Sequence, residues 1–371
     1  MKIARFGTLI ALILTAGSLL AQQTPPPSPK PQATPPAVPE KPAFPPVIAK
    51  ALDDVILSGV DRIDTHLKYI KTLYMPSVPG KVQAVLIFEM FPANLKLAVV
   101  APPVPGVPAT PASSASKPAA PAAPATPAAP GQPPTPPAAP PAPIRVDVFL
   151  RLTRADATGA FVPYDDIGLI YLEPEEQATG YAMYTVSLPM DPGSYKLLMA
   201  IADEKLEKVA TTRTELVLPD PSVVKGSLET TPIIFANSIK QLDPSAREMR
   251  ATVRKGDFMF SVLDIQPKLD NIFAVGDSKE IFYFVFGGRP DLNLQPPKFN
   301  LEVTYTLKKG NESVIKFAKQ AFPMPLINHP LPLQMQEKDK TLAPGLYSLA
   351  IDIQDKVGDG KLKTEIPIEI K

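Results

Sequence analysis

Two stretches of the chain, 152 positions apart, carry the same alternation of side chains, and this duplication constrains the fold more than any other feature. Pro192-Gly193-Ser194-Tyr195-Lys196-Leu197-Leu198-Met199-Ala200-Ile201-Ala202-Asp203 aligns without a gap with Pro344-Gly345-Leu346-Tyr347-Ser348-Leu349-Ala350-Ile351-Asp352-Ile353-Gln354-Asp355. In each copy Tyr, Leu, Met or Ile, and Ile stand two apart, so they face one side of an extended strand. A second alternating run follows both, Thr212–Leu218 in one and Leu362–Ile370 in the other. Two copies imply two related domains, with the boundary expected in the polar linker 238–256.

From residue 144 onward the pattern is almost entirely of period two. The expected strands are 145–153, 165–172, 181–188, 194–202, 208–218, 231–236, 257–265, 279–287, 298–307, 313–318, 345–354 and 362–370. Turn formers such as Asp191-Pro192-Gly193 and Gly358-Asp359-Gly360 divide them. Many short strands without interleaved helices predict an all-β fold of two tandem Ig-like antiparallel β-sandwich domains, over 77–237 and 257–371. That architecture lacks the strand, glycine loop and helix unit that cradles phosphate. Ile281 to Arg289 places large apolar groups on both faces of one strand. Its Phe282, Phe284 and Phe286 face either packs on the neighbouring domain or is a partner-binding patch.

Of 49 prolines, 11 fall in residues 24–46 and 17 in 101–143. Proline has no amide proton and fixes φ, so 22–47 is expected to be disordered and 101–143 to be a Pro/Ala-rich insertion without packed structure. Fully extended at about 3.1 Å per residue, the insertion reaches on the order of 130 Å as a spacer. If the flanking strands Val82–Met90 and Ile144–Thr153 pair in one sheet, it is instead an arch that spans nothing. Enlarging a loop from about 5 to 43 residues costs only about 2 kcal/mol, so the arch is the expectation. Between the tracts, in a lead-in over 48–76, Leu52, Val55, Ile56, Val60, Ile63, Leu67, Ile70 and Tyr74 recur at steps of three and four. That predicts a helix ended by Pro76, with Thr65–Tyr74 as a strand in the competing reading.

Met1 to Arg5 is a short basic head, Phe6–Leu20 an apolar stretch, and Ala21 precedes Gln22. This layout predicts a signal peptide, 1–21, with export to the periplasm or beyond and no membrane-spanning segment after cleavage. The formal charge is +1, from 38 Lys and Arg against 37 Asp and Glu, and loss of Lys2 and Arg5 with the leader makes it −1. So balanced a chain offers no electrostatic footprint for nucleic acid. With no Cys there is no disulfide framework, thiol nucleophile or Cys-based metal site.

The Pro-Gly-x-Tyr strands resemble the tyrosine corner of immunoglobulin-like and fibronectin type III sandwiches, which implies structural roles for Tyr195 and Tyr347. A wider resemblance rests on Lys71-Thr72-Leu73-Tyr74, Gly80-Lys81-Val82, Leu228–Ile233, Ile281–Gly287 and Pro330–Leu333. Together these segments resemble secreted acidobacterial-type proteins with tandem Ig-like or fibronectin III-like β-sandwich domains. The resemblance implies export in a Gram-negative-type envelope and carries no activity with it.

The search for chemistry is mostly negative. Asp53-Asp54 and Asp165-Asp166 are adjacent carboxylates that point apart on a helix or strand, so neither forms an acid/base pair. His66 and His329 have no nucleophile beside them in the sequence and read as structural, His329 in a loop before Pro330. Asn311-Glu312-Ser313 and Gly358-Asp359-Gly360 read as turns, and the scatter Lys240, Arg247, Arg250, Arg254 and Lys255 as a solvated linker face. No catalytic, cofactor-binding or metal residue is assigned. The expected function is a non-catalytic binding or scaffolding protein of the cell envelope with a protein partner. A carbohydrate-binding module is the alternative, weakened by the absence of Trp, and an enzyme with an unrecognised carboxylate site comes last.

Overall fold

The computed structural model describes residues 44–77, 80–95, 143–174, 177–178, 180–220, 227–243, 251–333 and 342–371. The expected leader, the proline-rich segment up to residue 43, the insertion up to residue 142, and Arg247 and Arg250 lie outside these residues. Helix α1 (Pro46–Ser58) is followed by β1 (Leu67–Pro76), β2 (Val82–Met90), β3 (Ile144–Ala155), β4 (Phe161–Glu173), β5 (Ala182–Met190), β6 (Gly193–Ala202) and β7 (Val209–Leu218). Then come β8 (Glu229–Thr230), β9 (Ile234–Gln241), β10 (Val253–Lys255), β11 (Phe258–Phe260), β12 (Leu263–Lys268), β13 (Ile272–Phe273) and β14 (Ser278–Phe286). The chain ends with β15 (Leu301–Lys309), β16 (Glu312–Lys316), β17 (Gln320–Phe322), β18 (Leu326–Pro332), β19 (Gly345–Asp355) and β20 (Lys361–Ile370).

The fold is all-β, with two sandwiches whose strands pair antiparallel except for the short β13, which runs parallel to β20. Sheets β1-β2-β5-β10 and β4-β3-β6-β7 make the first, and β11-β12-β9-β14-β18 and β13-β20-β19-β15-β16 make the second. The duplicated hairpin has one register in both: Gly193 opposes Leu218 and Gly345 opposes Ile370, again 152 apart at both ends. Both tyrosine corners close identically. Tyr195 Oη donates to Asp191 O and Tyr347 Oη to Ala343 O, each at 2.7 Å and each four residues back. Gly193 and Gly345 hold φ of +150° and +151°, and a Cβ on Gly193 would come within 2.9 Å of the Arg154 guanidinium.

The helix and the four sheets stack in successive layers. Ile48, Ala51, Leu52 and Val55 of α1 cover Phe149, Leu198, Ala200 and Ala202 on the outer face of β3 and β6. Beneath lies the first core, where alternate residues Val82, Leu86 and Phe88 of β2 meet Val146, Val148 and Leu150 of β3. The other face of that sheet, Leu73, Met75, Val85 and Ile87, packs on Phe258, Ile265, Phe282 and Phe284 of the second sandwich. Ile281, Tyr283 and Val285, on the opposite face of β14, enter the second core. The aromatic face of β14 is therefore interdomain. The outermost sheet meets water, which is why β15 alternates buried and half-buried residues throughout while β14 does not.

Four sequence expectations are corrected. Helix 52–74 stops at Ser58, because Gly59 adopts φ +69° and its N–H closes on Val55 O. Leu67–Pro76 is a strand instead, paired with β2 from Leu67↔Met90 to Pro76↔Val82, as the competing reading had it. Strands β2 and β3 do not pair; they face each other from the two sheets, so the insertion joins sheet to sheet, as residues 287–300 do between β14 and β15. The linker 238–256 is strand at both ends: β9 pairs with β12 and β14, and β10 pairs with β5 of the first sandwich. Residue 77 is therefore not the start of the first sandwich, since β1 belongs to it, and residues 229–241 belong to the second. The chain crosses between the sandwiches after β7, after β9 and after β10, so they are laced together rather than tethered. Lastly, His329 lies not in a loop before Pro330 but in β18, a strand at a sheet edge, where proline is tolerated.

Candidate binding surface

The charged and aromatic residues singled out in the sequence serve mainly as clamps. Asp53 and Asp54 do point apart: Asp54 pairs with Lys50, and Asp53 reaches Arg151 Nη1 at 2.6 Å. Asp166 meets the same Arg151 at 3.3 Å, so one guanidinium ties α1 to β3 and β4. Asp165 lines a cleft of about 330 Å³ at the open edge between β4 and β5, with Tyr164, Ile167, Leu188 and Met190. Beside it Asp191 accepts from Lys81 and Tyr164, bonds that hold its carboxyl below the usual range. Arg254 bridges Asp257 and Asp264, at 2.6 and 3.0 Å, and Lys255 meets Glu173. Asn311 is an exposed turn residue and Gly358–Gly360 is the β19–β20 turn.

The two histidines lie in different sandwiches. His66 bonds Glu89 Oε1 at 2.7 Å and meets the Tyr181 ring edge-on. His329, in β18, stacks on Tyr305 with ring centroids 5.8 Å apart, and Tyr305 Oη sits 3.1 Å from Tyr283 Oη in the second core. Half-burial disfavours the imidazolium, so His329 titrates below its usual 6.5. With the folded value depressed, the unfolded chain binds the proton more readily. The stability His329 contributes is thus present above about pH 6.5 and lost as pH falls through the folded value. Denaturant midpoints measured from pH 7.5 to 5 are expected to fall less steeply in His329→Leu than in the parent; equal slopes would exclude this role.

Beside the clamps lies an exposed apolar run. Ile56, Leu57, Val60 and Ile63, at the end of α1 and in the loop after it, are 57–85% exposed. This is not slack chain. Arg62 N donates to Thr211 Oγ1 at 2.7 Å, Thr211 N returns a bond to Arg62 O at 2.8 Å, and Ile63 bridges Ala210. Asp64 accepts from Arg62 and from Val209 N, bonds that lower its pKa, the Arg62 bond foremost. The backbone is pinned to the edge of β7 while its large side chains face water. The apolar spacing alone did not separate these residues from a buried helical stripe; the signal was Gly59, which ends the helix before its pattern ends.

No family model matches the chain, and no curated protein matches it. Among the described residues no group of three or more His, Asp or Glu is placed to hold a metal ion, and no helix is long and apolar enough to cross a membrane.

Proposed function

We propose that this is an exported, non-catalytic protein of the bacterial cell envelope that binds or scaffolds a protein partner, akin to the secreted acidobacterial-type proteins its segments resemble. The observation that carries the reading is the rigid apolar patch Ile56, Leu57, Val60 and Ile63. Large side chains fixed outward on pinned backbone cost solvation unless a partner covers them, and such patches mark interaction sites. Three ion pairs, Arg151–Asp53, Arg254–Asp264 and Lys255–Glu173, tie neighbouring layers together, which agrees with a scaffold.

The test is capture from envelope extract with the parent protein and a Leu57→Ser/Ile63→Ser double variant. One protein partner is expected to be retained by the parent and lost by the variant at an unchanged melting temperature. Retention by both would overturn the role of the patch, and co-sedimentation with peptidoglycan without a protein partner would favour a glycan ligand. Against the glycan reading, the exposed rings Phe161 and Tyr181 are in the first sandwich, while the cleft of Thr304, Thr306, Ser313 and Asp352 in the second has only the buried Phe317 as an aromatic ring. Sugar binding needs stacking and hydrogen bonding side by side.

A further inference from the structure

Among the described residues most sheet edges are short, as β10 and β13 are, or carry a device against strand addition. Strand β18 has Pro330 and Pro332, β16 is five residues long with a charge at each end, and β11 has three residues. Strand β1 carries Lys68, Lys71 and a register shift between Tyr69 and Lys71, and β7 is covered at 209–211 by the loop after α1. Strand β4 is 13 residues long and, among the described residues, pairs on one side only, with β3. Its segment Ile167-Gly168-Leu169-Ile170-Tyr171-Leu172 has no charge and no proline, and Ile170 and Leu172 are 61% and 56% exposed.

We infer that β4 pairs antiparallel with β4 of a second copy of this chain, centred on Ile170 facing its counterpart, and joins two four-stranded sheets across a two-fold axis. Opposed residues in an antiparallel pair share a face, so on the outer face Leu172 then stands opposite Gly168 of the partner, the largest residue against none. Charge selects this register. Centring on Leu169 would set Asp165 against Glu173, and centring on Gly168 would set Asp166 against Ile170. Centring on Ile170 keeps both aspartates out of the apolar contact and sets against Ile167 only Glu173, whose carboxylate is already taken up by Tyr184 and Lys255. Gly168 points the same way. A Cβ there would lie 3.7 Å from Phe149, an ordinary contact, so this chain's own packing does not call for glycine at a position where glycine weakens a strand. The approach of Leu172 from a second copy does. A two-fold contact also closes on itself, which caps an edge that would otherwise recruit further chains. This surface is separate from the apolar patch after α1, and either reading can fail without the other.

Sedimentation of the purified protein is expected to show a dimer. Because the chain has no Cys, Ile170→Cys adds a single thiol, expected to oxidise to a disulfide-linked dimer, since facing Cβ atoms in such pairs are about 4.5–5.5 Å apart. Val217→Cys, as exposed and in the same sheet, is expected not to cross-link. Gly168→Leu is expected to keep the parent's melting curve measured under monomeric conditions and to weaken association by about 10-fold or more. A monomer at every concentration, cross-linking equal at 170 and 217, or a Gly168→Leu dimer as tight as the parent's would each overturn the inference.

Discussion

Truncating Phe282 to Ala is expected to lower the unfolding free energy by about 3–5 kcal/mol, the usual range for a fully buried phenylalanine. Phe282 is 1% exposed, yet it lies in neither sandwich core. It fills the layer between them, with its ring edge-on to Phe260 and Phe284 and in one cluster with Val85 and Ile87 of the first sandwich. The interface is also bonded at its rim: Gln83 Nε2 donates to Met259 O at 2.8 Å and Thr185 Oγ1 to Asp257 O at 2.6 Å. Those bonds hold the two sheets in place, so the cavity left by Ala cannot close by sliding, and the cost stays at the upper end of the usual range. Leu346→Ala, at an exposed position of β19, is expected to change stability by less than about 0.5 kcal/mol. Urea midpoints of the two variants decide the matter; a Phe282→Ala loss below about 1 kcal/mol would mean that the sandwiches do not pack through this face.

The same two-faced burial explains which parts of the fold were legible in the sequence. Strands with one wet face, such as β15 and β20, alternate and can be read directly. The duplicated hairpin could be aligned because both copies keep the turn length: Asp203 N bonds Lys208 O, and Asp355 N bonds Gly360 O, five residues on in each. The repeat fades upstream because β3 and β15 stand 155 apart, not 152, as the pairs Leu152↔Leu197 and Leu307↔Leu349 show. Arg154 and Lys309, at that same spacing, lie over the corner rings of Tyr195 and Tyr347, a match hidden until the strands are paired. What misled was local pattern overruled by distant partners. Leu67, Ile70 and Tyr74 continue a helical stripe by spacing alone, but β2 offers nine residues of β1 a ladder, which helix propensity does not outweigh. Residues 253–255 look like solvated linker because Arg254 and Lys255 are charged, although Lys255 has its partner in Glu173, 82 positions back. The apolar patch was invisible for the opposite reason: its residues look buried in any pattern, and only the position of Gly59 exposes them.

Removing Lys255 is the second change with a large expected effect, and it tests the lacing of the two sandwiches. Glu173 is fully buried at the end of β4, its Oε2 accepting from Tyr184 Oη at 3.0 Å and its Oε1 from Lys255 Nζ. Lys255 also donates to Gln177 O at 2.8 Å. One carboxylate thus joins the two sheets of the first sandwich, through β4 and β5, to β10, the strand that the chain inserts before returning to the second. Burial and Glu173 together hold the Tyr171 and Tyr184 hydroxyls far above the ordinary tyrosine range, so both stay protonated donors at any working pH. Taking away the ammonium leaves a buried charge with hydroxyl partners only. For fully buried pairs that costs about 3–5 kcal/mol; because Lys255 is partly exposed and water can replace some of its field, Lys255→Met is expected to cost about 2–3 kcal/mol. Replacing both, Glu173→Leu with Lys255→Met, is expected to cost about 1–2 kcal/mol less than the sum of the single changes, because the double variant has no stranded charge. Urea unfolding of the four proteins measures this coupling. Additive losses would show that Glu173 and Lys255 are held independently, and the linker strand would then owe its place to Val253, the Arg254 clamp and the β5 ladder.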